Sequence, residues 1–222
     1  MPTPDRSVPE YFDDLAPDWD AKYQRSRFFR ARLDAVTRLL DLHAAPGGVA
    51  LDYGCGAGSL LGLLADRADR AVGTDLSDEM RRVAAERHAD RDDVSVLPID
   101  EALQGRYRTM LCSSVIEYVD DDAALMQRLA GALEPGGRLV VSFPSRWGLM
   151  QVLQRTVLSR RGGESYVDHQ KHTYTRPSIR RLVEGAGLQV YAIQNVSGLP
   201  GAATVGLNEL TFAIAEKKKA DT

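Results

Sequence analysis

The chain holds little sulfur and no excess of either charge. Its two cysteines, Cys55 and Cys112, in 222 residues argue against a disulfide framework and for a reducing compartment. The 28 basic and 31 acidic side chains leave a formal net charge of −3. Such a balance provides no broad basic surface for nucleic acid, so no nucleic-acid partner is expected. No apolar run approaches the ~20 residues that cross a bilayer as a helix. The opening Met1-Pro2-Thr3-Pro4-Asp5-Arg6 lacks the apolar centre of a secretory leader. A soluble, cytoplasmic protein is therefore the expectation. No internal repeat and no second domain are visible, and the length suits one large domain or a domain with an appendage.

The informative segment is Leu51-Asp52-Tyr53-Gly54-Cys55-Gly56-Ala57-Gly58-Ser59-Leu60. An apolar run, Gly48-Val49-Ala50-Leu51, leads into a carboxylate and three glycines spaced Gly-x-Gly-x-Gly. A leucine-rich stretch with helical spacing follows. This is the pattern of a buried parallel strand turning sharply into a helix beneath a nucleotide. In dinucleotide sites the third glycine comes one residue later and faces a pyrophosphate. Here Asp52 opens the loop; it would repel a pyrophosphate and attract an ammonium or sulfonium. A second apolar strand, Ala71-Val72-Gly73-Thr74, ends in Asp75, placed where an acid accepts hydrogen bonds from ribose hydroxyls. A nucleoside carrying positive charge is implied, and S-adenosylmethionine fits.

Periodicity predicts the surrounding elements. Residues 1–9, with three prolines, read as a mobile tail. Residues 10–44 read as a helical region with two helices. Phe28, Phe29, Leu33, Val36, Leu39 and Leu40 recur there at helical spacing. Strands are expected at 48–53, 70–75, 93–97, 108–113 and 137–143, with helices at 58–67, 78–89 and 121–133. The alternation predicts a doubly wound α/β parallel sheet. A helix at 177–186 and strands near 188–196 and 209–216 close the chain. His43 and His88, on helices, read as surface residues.

These motifs resemble the class I S-adenosylmethionine-dependent methyltransferases. The resemblance rests on Asp52–Gly58, on Gly73-Thr74-Asp75-Leu76-Ser77-Asp78-Glu79-Met80, and on Leu111–Asp121. It also rests on Leu133-Glu134-Pro135-Gly136-Gly137-Arg138-Leu139-Val140-Val141. It covers about residues 45–145 strongly and the flanks loosely. It implies a seven-stranded Rossmann-like sheet with an antiparallel terminal hairpin over 45–222, and S-adenosylmethionine as cofactor, leaving as S-adenosylhomocysteine. The backbone at Gly54, Gly56 and Gly58 would hold the methionine portion, with Asp52 on its ammonium. Asp75 would take the ribose hydroxyls, Leu76 an adenine face and Asp100 the adenine amino group, unless Asp100 is a solvated loop acid. Cys55, Met80, Cys112 and Tyr23 complete the implied cofactor set.

Two segments fall outside that plan. Tyr11–Tyr23 is rich in aromatics and acids and in similar enzymes forms a lid; the alternative is an amphipathic helix whose aromatics pack. Residues 145–172 form an insertion. Within it, 146–161 places apolar groups on one helical face with arginines around them, a pattern that suits a membrane surface or a greasy substrate. The ubiquinone-pathway O-methyltransferases, which the chain loosely resembles, have a membrane-touching insertion at this place; the alternative is an ordinary helix over the core. Tyr11, Trp19, Tyr118, Trp147 and Met150 are the expected substrate contacts. His169, His172 and Glu117 are the candidate proton acceptors, because a neutral hydroxyl acceptor must lose a proton. The turn after strand four lacks the Asn/Asp-Pro-Pro-aromatic motif of nucleic-acid and glutamine N-methyltransferases and has no carboxylate cluster, so no metal is expected. Methyl transfer to an oxygen of a hydrophobic small molecule is the leading expectation. N-methylation of an amine or amino sugar, or a non-catalytic cofactor-binding protein, are the alternatives. Oligomeric state is open.

Overall fold

The computed structural model describes residues 7–19, 26–146, 168–197 and 210–219. The first helix, α1 (Val8–Leu15), starts inside the stretch expected to be a tail. The Ser7 amide and hydroxyl both donate to the Glu10 carboxylate, at 2.8 and 2.7 Å, and Pro9 falls in the first turn, where proline is tolerated. A short 3-10 turn, Ala16–Asp18, extends it. The second helix, α2 (Arg27–His43), is capped by Ser26.

Strand and helix then alternate: β1 (Val49–Tyr53), α3 (Leu61–Ala65), β2 (Arg70–Thr74), α4 (Asp78–Arg87), β3 (Val94–Val96), α5 (Ile99–Ala102), β4 (Tyr107–Cys112), α6 (Asp122–Ala132) and β5 (Leu133–Pro144). After these come α7 (Arg176–Gly185), β6 (Leu188–Val196) and β7 (Leu210–Lys217). Three boundaries differ from expectation for physical reasons. Helix α3 begins late because the chain is still turning at Gly58, whose amide donates back to the Cys55 carbonyl at 3.0 Å. Strand β5 begins early because Leu133 pairs with Tyr107 before a register shift at the Pro135-Gly136 turn. The short α5 was expected to be loop.

The sheet order is β3-β2-β1-β4-β5-β7-β6. Strands β1 to β5 pair in parallel, and β7 runs antiparallel between β5 and β6. Side chains alternate across the sheet with period two. Leu51, Met110, Leu139 and Val141 join Met126, Leu129, Ile179 and Val183 under α6 and α7. Ala50, Leu111, Val140 and Ile214 join Val36, Leu39, Leu40 and Leu61 under α2 and α3. Strand order reverses between β1 and β4, which opens a crevice at their C-terminal ends, where ligands of open α/β sheets bind. No described helix is long and apolar enough to cross a membrane.

Candidate active site

A cavity of about 1230 Å³ occupies that crevice. One wall is the loop after β1. Gly54 has a φ of +77°, and a Cβ added there would lie 2.1 Å from Val115 Cγ2. Only glycine lets the chain turn and leave that space. The amides of Gly54 and Cys55 donate to the Thr74 carbonyl, at 2.8 and 2.9 Å, tying the loop to the end of β2. Asp75 fixes the loop from the other side: Oδ2 accepts from the Gly56 amide at 2.9 Å and Oδ1 from the Ser77 amide at 3.0 Å. Burial pushes the Asp75 carboxyl up from its ordinary value while those amides pull it down. Leu76 and Met80 line the cavity beside it.

Asp52 lies behind this wall rather than on it. It is 1% exposed, and neither carboxylate oxygen has a hydrogen-bond partner among the described residues. Burial, then repulsion from Asp75, raise its pKa to about 7 against the pull of Arg32. A buried carboxylate left without a partner is costly. A ligand bringing an ammonium and a sulfonium to the adjoining loop offsets that cost, so the residues present fit S-adenosylmethionine. Gly58 likewise stands off the cavity: His88, expected on the surface, donates from Nε2 to the Gly58 carbonyl at 2.9 Å and braces the loop. The expected cofactor contact Cys112 is fully buried beneath the site and does not reach the cavity. It ends β4 with its side chain in the α6–α7 core. Asp100 is at the rim, paired with Arg128 at 3.0 Å. Tyr23 lies outside the described residues.

The opposite wall is built from four separate segments. From the turn after β4 come Ser113, Ser114, Val115, Glu117, Tyr118 and Val119. Glu117 is 1% exposed, its Oε2 unpartnered among the described residues. Burial raises its pKa to about 7, against its own backbone amide and Arg32. From α1 come Tyr11 and Phe12. The Tyr11 ring packs at 4.4 Å against His169, tilted by 38°, and Phe12 meets Tyr118 at 5.4 Å and Trp19 at 5.9 Å, both edge-on. Asp13 of the same helix accepts from the Ser77 hydroxyl and the Glu79 amide, fastening α1 to the N-terminus of α4. The segment 168–171 contributes His169, 4% exposed. His172 does not join it: its Nε2 donates to the Val119 carbonyl at 3.0 Å, outside the cavity lining. That bond engages Nε2. Trp147 and Met150, with most of the 145–172 insertion, lie outside the described residues.

Arg32 was missed in the sequence. It is 4% exposed on α2, lines the cavity, donates from Nη1 to the Ser114 hydroxyl at 2.6 Å and lies over the Phe29 ring at 5.2 Å. Ser114 holds a φ of +60°, rare for a side-chain-bearing residue, and its amide donates to the Ser142 hydroxyl at 2.7 Å. The signal for Arg32 was present: it follows Phe29 by three and precedes Val36 by four, so it is a charge on the buried stripe of a helix. Its guanidinium suits a carboxylate such as that of the cofactor's methionine portion. No group of three or more His, Cys, Asp or Glu side chains among the described residues is arranged to hold a metal.

The family described as "Methyltransferase domain" matches residues 22–193. A ubiquinone biosynthesis O-methyltransferase from Idiomarina loihiensis is 28% identical over 161 residues, covering 68% of this chain and 65% of that protein. The chain thus spans just under two thirds of that relative's length. Magnesium protoporphyrin IX methyltransferase from Synechocystis, solved with bound S-adenosylhomocysteine, superposes with a TM-score of 0.72 at 21% identity. The match covers 95% of this chain and 98% of that one. The cyclase SpnF reaches 0.74 at 15% identity, over 96% of both chains. The likeness to these structures is one of fold: it extends to a protein whose name gives a different reaction.

Proposed function

Since the chain belongs to the class I S-adenosylmethionine-dependent methyltransferases, we propose that it methylates a hydroxyl oxygen of a hydrophobic small molecule, with Glu117 as the proton acceptor. The observation that carries this reading is a buried carboxylate, one oxygen of which is unpartnered among the described residues, lining an aromatic-rich cavity. The cofactor supplies an activated methyl group whose leaving group is a neutral thioether. What remains for the protein is to place the acceptor, exclude water and take one proton. Tyr11, Phe12, Tyr118 and Phe29 present flat apolar surface for a ring or a polyprenyl chain. An acceptor hydroxyl donating to Glu117 satisfies the orphaned Oε2. On transfer of the methyl group, Glu117 would take the hydroxyl proton of the acceptor. A pKa near 7 suits a base that must be ionised to act and then hold the proton. The nearby Arg32 guanidinium favours the ionised form of Glu117. The O-methyltransferase names of the curated relatives support the same choice of atom.

The test is transfer of radiolabelled methyl from S-adenosylmethionine into cell extract, partitioned between solvent and water, followed by assay of the labelled compound. Label in the organic phase, in a methyl ether, is the expected result. Label in an aqueous amine replaces this reading with N-methylation. Cofactor binding without label in either phase sinks the enzymatic reading.

A further inference from the structure

The sheet has a second end, and it carries a cavity of another kind. At the N-terminal ends of the parallel strands, opposite the methyl-transfer cleft, a hollow of about 260 Å³ opens between the α2–β1 turn, the start of β4, the β5 turn and the end of β7. Among the described residues its charged side chains are Arg108, Arg138 and Lys219, with His43 beside them, against the carboxylate of Glu216. Glu216 is engaged by Arg138 at 3.1 Å, and the Arg138 guanidinium also covers the Tyr191 ring at 4.7 Å. The side chains of Arg108 and Lys219 make no hydrogen bond or ion pair among the described residues. They converge nonetheless. A Cβ placed on Gly136 would lie 3.0 Å from Lys219 Cε and 3.9 Å from Arg108 Nη1. Two unpaired cations around one small volume repel each other until an anion enters.

Two further features point to an occupant. His43 is held below its ordinary pKa by burial and then by Arg138, as expected where the field is positive. Two large apolar side chains, Leu42 and Tyr191, are 73% and 39% exposed at its margin, with Tyr191 5.4 Å from the His43 ring. We propose that this hollow binds a phosphate or diphosphate group, free or as the end of a metabolite, with Arg108 and Lys219 as its ligands. The guanidinium supplies paired donors matched to phosphate oxygens and the ammonium a mobile point charge. The site shares no residue with the methyl-transfer cleft, so it stands independently of the role given to Glu117.

Inorganic diphosphate and ADP, titrated calorimetrically into the full chain saturated with S-adenosylmethionine at low ionic strength, test it, with the His43 imidazole followed by NMR. One-to-one saturable binding is expected, with the His43 midpoint moving up as the anion enters. Arg108→Gln and Lys219→Gln should each weaken binding about tenfold or more, with cofactor affinity unchanged as proof of folding. Tighter ADP than diphosphate assigns the site to a phosphorylated metabolite whose body rests on Leu42 or Tyr191; the reverse assigns it to the free anion. Absence of saturable binding to either ligand, or binding equally strong in both variants, overturns the proposal.

Discussion

The two walls of the cavity are built on opposite principles. The cofactor wall is made of backbone: Gly54 and Gly56 with positive φ, two amides on the Thr74 carbonyl, and an aspartate whose oxygens are held by the amides of Gly56 and Ser77. The acceptor wall is made of side chains from α1, α2, the turn after β4 and the segment 168–171. On the first wall the polar groups are largely satisfied before any ligand arrives. On the second, one carboxylate oxygen, Glu117 Oε2, has no partner among the described residues. A backbone wall recognises one ligand and tolerates little change. A side-chain wall can be re-specified by substitution without disturbing the fold.

That contrast can be broken by mutation. The largest effect is expected for Glu117→Gln, which should lower kcat by about 10²–10⁴-fold while leaving cofactor affinity within about twofold. In the unsubstituted enzyme kcat/KM should rise with pH through a midpoint near 7, because the base must be ionised. Loss of that limb in the variant is the diagnostic, and an unchanged profile would remove Glu117 from the reaction. Next is Gly54→Ala. Its Cβ meets Val115, and the positive φ adds about 1–2 kcal/mol of strain. With crowding of about 1–3 kcal/mol, cofactor binding should fall at least tenfold in equilibrium dialysis. Val115→Ala on that background should restore part of it, since the crowding is relieved and the strain is not.

Asp75→Ala should weaken cofactor binding by about 1–3 kcal/mol, with kcat at saturating cofactor largely kept; unchanged affinity would take Asp75 out of the site. Asp52→Asn sharpens the comparison from the stability side. A carboxyl raised to about 7 in the folded state and ionising near its ordinary value when unfolded binds its proton more tightly in the fold. Stability of the ligand-free protein should therefore fall as pH rises from about 4 to about 7. Each tenfold gain in proton affinity on folding is worth on the order of 1.4 kcal/mol. Asp52→Asn should flatten part of that decline in chemical denaturation, with Glu117 and Asp75 carrying the rest; a slope identical to wild type would mean that Asp52 ionises normally. The smallest effect belongs to His172→Ala, expected within about twofold in kcat, because its ring is engaged by the Val119 carbonyl. A loss beyond tenfold would return His172 to the candidate bases.

Legibility followed the same divide. The strands, the glycine loop and Asp75 could be read because each depends on neighbours in sequence: period-two burial, positive φ, an acid at a strand end. The resemblance led correctly to the family and fold. The placement of Cys112 and His172 could not be read, since nothing local says whether a strand-end thiol faces a cavity or a core, or which of two nearby histidines turns outward. His88 was read as surface because helical spacing does not reveal that Gly58, thirty residues away, needs its ring. Arg32 had a local signal, a charge on a buried stripe, whose meaning required the partner surface.

The sequence by itself determined the alternating sheet, the glycine turn and the charge of the ligand beneath it, because backbone sterics and hydrophobic periodicity act over a few residues. Only the tertiary structure decided which carboxylate lines the cavity with an oxygen unpartnered among the described residues, and that His88 and His172 are tied to carbonyls. It alone brought Arg32, Tyr11 and Glu117 from three distant segments around one space. Burial and desolvation are properties of the assembled surface, and no short stretch of chain contains them.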